Sequence, residues 1–218
     1  MDPKSDRSPS VGCLLYLAAD QLVAHRPSMV LFRMTRVPCK RVWVNPVDLS
    51  AMVLTATFLS LQESGHLSYR IHEESYMMIP GGVMTRQTLW AEVLDTTLRP
   101  GLPGALLSAA INSPDGRVGA AQGKPGHMYG THASQVLGLS VEHPYVRNAV
   151  RSELAQAGAY IQAGRTYRPD CARIALFEAA CAAAVRWWKQ QQADGPRLRT
   201  LLFDICRPAS IGERGGQG

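Results

Sequence analysis

Two stretches of the chain carry the same change of pattern. Residues 47–71 (VDLSAMVLTATFLSLQESGHLSYRI) and 145–161 (YVRNAVRSELAQAGAYI) begin with apolar residues at helical spacing, reach a glycine, and turn at once to strand-like residues. In the first, Leu49, Met52, Val53, Ala56 and Leu59 or Ser60 share one helix face. In the second, Val146, Val150, Leu154 and Ala157 do. Gly65 and Gly158 fall where a helix ends, and a glycine there accepts the left-handed backbone that other residues resist. The spacing therefore predicts positive φ at both, followed by a strand.

The remaining pattern fills in around these units. Residues 11–25 read as a helix stopped by Pro27. MVLFRMTRV and KRVWV, within 28–44, read as two short strands broken at Pro38. Asn45 is placed to cap the first motif helix, with Pro46 at its first position and Asp48 completing an approximate capping box. After Gly65, Leu67, Tyr69 and Ile71 alternate with Ser68, Arg70 and His72, the period of a half-buried strand. Tyr76–Ile79 reads as the return strand of a wing, closed by Pro80-Gly81-Gly82. Thr85–Leu98 reads as a helix through Leu89 and Val93, and Ala105–Ile111 as another. Pro169 opens a long helix, 170–192, that is apolar nearly all round. It is expected to be the most buried helix, with Ile174, Phe177 and Val185 almost inaccessible; exposure of most of it would point to a homo-oligomer interface. A last helix covers 197–206.

The fold class that follows is mainly α with short β hairpins, built as one winged-helix-like unit or two in tandem. The expected organisation is a disordered leader (1–10), an N-terminal winged-helix-like half (11–111), a Gly/Pro-rich linker or loop (112–132), a C-terminal helical half (133–207) and a disordered tail (208–218). The 218 residues suffice for one compact domain or two small ones.

Charge narrows the partners. The chain carries 23 Lys and Arg against 17 Asp and Glu, a formal net charge of +6. That favours acidic lipid headgroups or nucleic acid. Arg33, Arg36, Lys40 and Arg41 gather beside Trp43, an anion-binding edge with an amphipathic aromatic. Arg147 and Arg151 lie four apart on the second motif helix and share a face. The simpler reading of both groups is a solvated basic surface.

Other chemistry finds little support. The five cysteines, Cys13, Cys39, Cys171, Cys181 and Cys206, are odd in number and widely spaced. They read as free thiols in a reducing cytosol. The apolar run Val11–Ala19 makes a poor signal peptide, and 49–61 falls far short of the roughly 20 residues a membrane span needs. The expected location is cytoplasmic, at most peripheral to a membrane. GRVGAAQGKPGH fails as a phosphate loop, because Val118 and Pro125 stand where glycine and Ser or Thr are required. The six histidines form no HExxH and no metal-ligand set, and no GxSxG elbow exists. No catalytic residue, metal or cofactor is expected, and an enzyme of unknown class remains only as an alternative.

Trp43, TFLSLQESGHL, VRSELAQAGAY and ARIALFEAACAAAV occur in an order that resembles the Golgi phosphoprotein 3 family, over residues 40–190. The resemblance implies a mostly helical fold, peripheral membrane attachment and phosphoinositide binding through a Trp and several arginines. Trp43 would match the Trp, and Arg147 one of the arginines before the second glycine. The family's arginine in the first motif helix has no counterpart, since residues 49–61 hold no basic side chain.

Two functions follow. One is a non-enzymatic module that docks on an anionic surface, with Trp43, Arg33, Arg36, Lys40 and Arg41 joined to Arg147 and Arg151. The other is a winged-helix DNA-binding regulator using Arg147, Asn148 and Arg151.

Overall fold

The computed structural model describes residues 8–23, 34–78, 82–95, 100–111, 130–132, 144–194, 200 and 202. The elements run α1 (Val11–Leu17), a 3-10 turn (Ala19–Gln21), β1 (Thr35–Arg36), β2 (Trp43–Val44), α2 (Pro46–Glu63), β3 (Leu67–Met78) and β4 (Gly82–Val93). They continue with α3 (Gly101–Ile111), β5 (Gly130–His132), α4 (Pro144–Gln156), β6 (Tyr160–Ala163), β7 (Thr166–Pro169), α5 (Cys171–Ala175) and α6 (Glu178–Asp194). The fold is mainly helical with antiparallel hairpins.

Both predicted glycine turns are present. Gly65 has φ 73° and Gly158 has φ 81°. At the first, the Gly65 amide donates to the Gln62 carbonyl (3.0 Å) and the His66 amide to Leu61 (2.9 Å). At the second, Gly158 donates to Ala155 (3.0 Å) and Ala159 to Leu154 (2.8 Å). The paired bonds are the same, so each helix ends in a Schellman turn that satisfies carbonyls otherwise left open. At the other end of α2, the Asn45 side chain accepts from the Val47 amide (2.9 Å), and Pro46 occupies the first helical position.

The most buried helix is α2. From Leu49 to Leu61 every residue except Ser60 is buried. Its hydroxyls do not mark a wet face, because they bond back along the helix: Ser50 Oγ donates to the Pro46 carbonyl (2.7 Å) and Thr57 Oγ1 to Val53 (2.8 Å). The expected burial of 170–192 is corrected. That segment is two helices, α5 and α6, broken at Leu176–Phe177. No residue of α5 is buried, Ile174 and Phe177 are only half-buried, and Leu176 is 81% exposed. Among the described side chains of α6, Cys181, Ala184, Val185 and Trp188 are the buried ones, a single face at helical spacing. The other faces are rich in alanine, which favours helix without needing burial.

A second correction concerns 85–98. Residues 82–93 form β4, paired residue for residue with β3 from Leu67↔Val93 to Met78↔Gly82. Leu89 and Val93 sit at a spacing of four, which fits a helix and also fits a strand, where Ala91 between them faces the same side. Ala91 and Val93 are buried. The segment expected as a wing and the following helix is therefore one long hairpin of twelve-residue strands, and 76–78 continue β3 instead of starting a return strand. Its base gains β5, with Trp90↔His132 and Glu92↔Gly130, at the end of the segment expected as a linker.

Smaller differences lie at the ends. The first helix stops at Leu17, well before residue 25. Ser10, expected in a disordered leader, is the N-cap of α1. The helix expected from Ala105 begins at Gly101. Of the helix expected at 197–206, Thr200 and Leu202 are described, both helical, with Leu202 buried. All of MVLFR (29–33), most of the linker and the tail at 208–218 lie outside the described residues.

One buried cluster runs from Cys13 to Leu202 and includes Phe58, Leu67, Leu106, Val150, Leu154 and Trp188. α1 lies at its centre, against α2, α4 and α6. Gly12 allows this: a Cβ there would meet the Val53 carbonyl oxygen at 3.0 Å and crowd Thr57.

Candidate anion-binding hairpin

β1 and β2 pair over two residues, Thr35↔Val44 and Arg36↔Trp43. So short a ladder needs anchors. Val37 and Val44 are buried, and the Val37 amide donates to the Val42 carbonyl (2.9 Å). Lys40 Nζ lies 2.6 Å from the Asp20 carboxylate on the 3-10 turn. Arg36 Nε donates to the Lys40 carbonyl (2.9 Å). At the tip, Cys39 takes φ 60°, the left-handed region, and its sulfur is bonded to Cys171 at the start of α5.

These anchors leave Trp43 54% exposed, directly across the ladder from exposed Arg36. Arg41, two residues before Trp43, is exposed as well. Lys40 is half-exposed and turned to Asp20, so its charge is largely committed inside the protein. Arg33 lies outside the described residues. The hairpin thus carries one exposed indole and two exposed arginines, Arg36 paired with Trp43 across the ladder and Arg41 two residues before it.

The second arginine pair has different neighbours. Arg147 and Arg151 are half-buried on α4, which packs on α3 and α1. Arg151 acts on Tyr160 of β6: burial pushes the Tyr160 phenol far up, the nearby Tyr16 reinforces this, and the Arg151 charge opposes it. The hairpin is tied instead to the 3-10 turn and α5. Beyond Gly158, β6 and β7 form a second hairpin with exposed Arg165, Arg168 and Ile161.

The reading of five free thiols is corrected. Cys39 and Cys171 form a disulfide with Cα atoms 5.4 Å apart across 132 residues of sequence. Only tertiary packing brings them to bridging distance. Cys13 and Cys181 are free and buried, and Cys206 lies outside the described residues. Burial pushes both buried thiols up; Glu153 adds to it at Cys13, whereas Lys40 opposes it at Cys181.

Glu153 went unnoticed in the sequence. Its carboxylate accepts from the Leu102 amide (2.7 Å) and from the Ser10 amide, so one side chain caps α3 and α1 together. A glutamate in an amphipathic helix gives no sign of this. The only hint was Gly101-Leu102-Pro103, a helix start without a capping side chain of its own.

Among the described residues no group of His, Cys, Asp and Glu could hold a metal ion, and no helix is long and apolar enough to cross a membrane. No protein-family model matches the chain, and no curated protein or solved structure matches it either.

Proposed function

We propose that the protein docks on anionic surfaces through the β1–β2 hairpin, and that an acidic lipid surface is the partner. The observation that carries this is the exposed Trp43 placed across the ladder from exposed Arg36, with Arg41 beside it. An indole favours the headgroup boundary, where its apolar face leaves water and its N–H remains solvated. Guanidinium groups at the same level meet phosphate with paired donors. Near an acidic surface each such cation contributes about 1 kcal/mol. Attachment is peripheral and requires no catalytic group.

Sedimentation with vesicles tests it. The protein should pellet with vesicles containing acidic lipid and stay in solution with neutral ones. Arg36→Glu exchanges an attraction for a repulsion, about 2 kcal/mol, and should weaken binding roughly thirtyfold. Trp43→Ala should weaken it too. Equal pelleting with both vesicle types refutes the reading.

A second reading rests on the other hairpin. α4, with Arg147, exposed Asn148 and Arg151, leads through Gly158 into β6–β7 with Arg165 and Arg168 exposed at the tip and on β7. That is the order of a recognition helix and wing, the winged-helix-like arrangement of a nucleic-acid binder. It requires a gel shift whose affinity falls steeply with salt and is indifferent to Trp43→Ala.

A further inference from the structure

We propose that the Cys39–Cys171 disulfide is a thiol-responsive clamp that sets whether the Trp43 hairpin is held in its docking geometry. The inference rests on the hairpin being the docking surface. Both cysteines are exposed, whereas the free thiols Cys13 and Cys181 are buried. A reductant therefore reaches the bridge before it reaches any other described sulfur.

The bridge joins two thinly held elements. On one side the ladder has two residue pairs, and a two-stranded hairpin of that size is marginal by itself. On the other, α5 is a five-residue helix with no buried residue, held by its Asp170 cap. The bridge attaches at the hairpin tip, four residues from Trp43, on a cysteine in a left-handed conformation that it leaves readily once released. The remaining tie near the tip, Lys40 to Asp20, is a partly exposed ion pair of small worth. Val37 and Val44 anchor the base of the hairpin in the same core as α2, so it is the tip, from Cys39 to Arg41, that depends on the bridge.

The chemistry closes with a dithiol as reductant. Its first thiolate attacks one bridge sulfur, forming a mixed disulfide and releasing the other cysteine, which takes up a proton. Its second thiol then closes the reductant's own disulfide and frees the remaining cysteine, so two electrons and two protons pass to the protein. In an oxidising setting the bridge persists and Trp43 is presented; in a reducing one the clamp opens.

The test compares the intact protein before and after dithiothreitol, with the Cys39→Ser variant as a check free of reductant. Hydrogen exchange over the first minutes reports the clamp itself. On reduction the Val37 and Lys40 amides, which bond within the hairpin, should exchange at least tenfold faster while residues 49–61 stay protected. Unchanged exchange in the hairpin overturns the proposal. Complete exchange of 49–61 together with the hairpin within those first minutes also overturns it, because the bridge would then hold the whole fold. Sedimentation with phosphatidylserine-containing vesicles reports docking, and reduction should weaken binding about tenfold. Equal binding in both states sinks the clamp and leaves the docking reading standing. No binding in either state sinks the docking reading, and hydrogen exchange alone then decides whether the clamp exists.

Discussion

Replacing Gly101 by alanine sets a Cβ 2.7 Å from the carboxyl carbon of Glu153 and 2.9 Å from its Cβ, at a backbone φ of 79°. The same substitution at Gly65, where φ is 73°, meets nothing within 4 Å. Gly65→Ala therefore measures left-handed strain alone, about 1 kcal/mol after the gain from a stiffer unfolded chain. Gly101→Ala adds the displacement of a carboxylate that accepts the Ser10 and Leu102 amides. Hydrogen bonds to a charged group contribute about 1.5–3 kcal/mol each, and half-burial keeps these near the lower figure, so about 3 kcal/mol more is lost. The expected costs are about 1 kcal/mol for Gly65→Ala, 3 for Glu153→Ala and 4 for Gly101→Ala. The double variant Gly101→Ala/Glu153→Ala should cost about 4 rather than 7, because the carboxylate can be lost only once. Thermal unfolding resolves this: at roughly 2–4 °C per kcal/mol for a chain of this size, the two glycine variants should differ by about 10 °C. Equal melting temperatures for Gly65→Ala and Gly101→Ala, or additive costs in the cycle, would refute the double-cap reading of Glu153.

Three further outcomes are expected. Valine at Gly65 or Gly158 should destabilise by about 1 kcal/mol or more in urea unfolding, since both positions have positive φ and a β-branched side chain tolerates it poorly. Cys39→Ser should lower stability by about 2–4 kcal/mol, below the chain-entropy figure of about 5 for a loop this long, measured against oxidised protein by denaturant titration. Stability should also fall at alkaline pH: Cys13 and Cys181 have raised pKa values, so their contribution is complete below the ordinary thiol range and is lost as pH climbs through and above it. A urea midpoint that stays flat from pH 8 to 10.5 in wild type, or that falls equally in Cys13→Ala, would contradict that assignment.

Local signals carried some of the architecture and none of the long-range ties. Gly65, Gly158 and the Asn45-Pro46 start were legible because a cap or a left-handed turn is decided within a few residues. The stripe Val146, Val150, Leu154, Ala157 was legible for the same reason, and all four are buried. Periodicity misled wherever one set of residues fits two periods. A spacing of four puts Leu89 and Val93 on one face of a helix and equally on one face of a strand, and pairing with β3 decided between them. Composition misled in opposite directions in α2 and in the α5–α6 segment. Ser50 and Thr57 of α2 look polar in sequence and are satisfied by their own helix, while Ala172, Ala175, Ala179 and Ala183 look like core and are exposed.

The candidate site divides along the same line. Trp43, Arg36 and Arg41 were legible as a cluster because eight residues hold them, and a hairpin of two residue pairs keeps them on one edge. Lys40 belonged to that cluster by sequence, yet its partner Asp20 comes from another element, so its charge is committed to the protein. Arg147 and Arg151 are half-buried on a helix with other neighbours, and a sum of charges along the chain cannot register that difference. The tie at the tip of the site is a bond between two cysteines 132 residues apart, one at the hairpin tip and one at a helix start. A thiol reading by spacing favours near pairs, because only they are visible as motifs. A bridge that constrains the unfolded chain gains most from distant partners. The feature with the greatest leverage on the hairpin is thus the one least accessible to local pattern. It also shifts the expected setting, since a solvent-exposed disulfide lasts where thiols are oxidised and is cut where they are kept reduced.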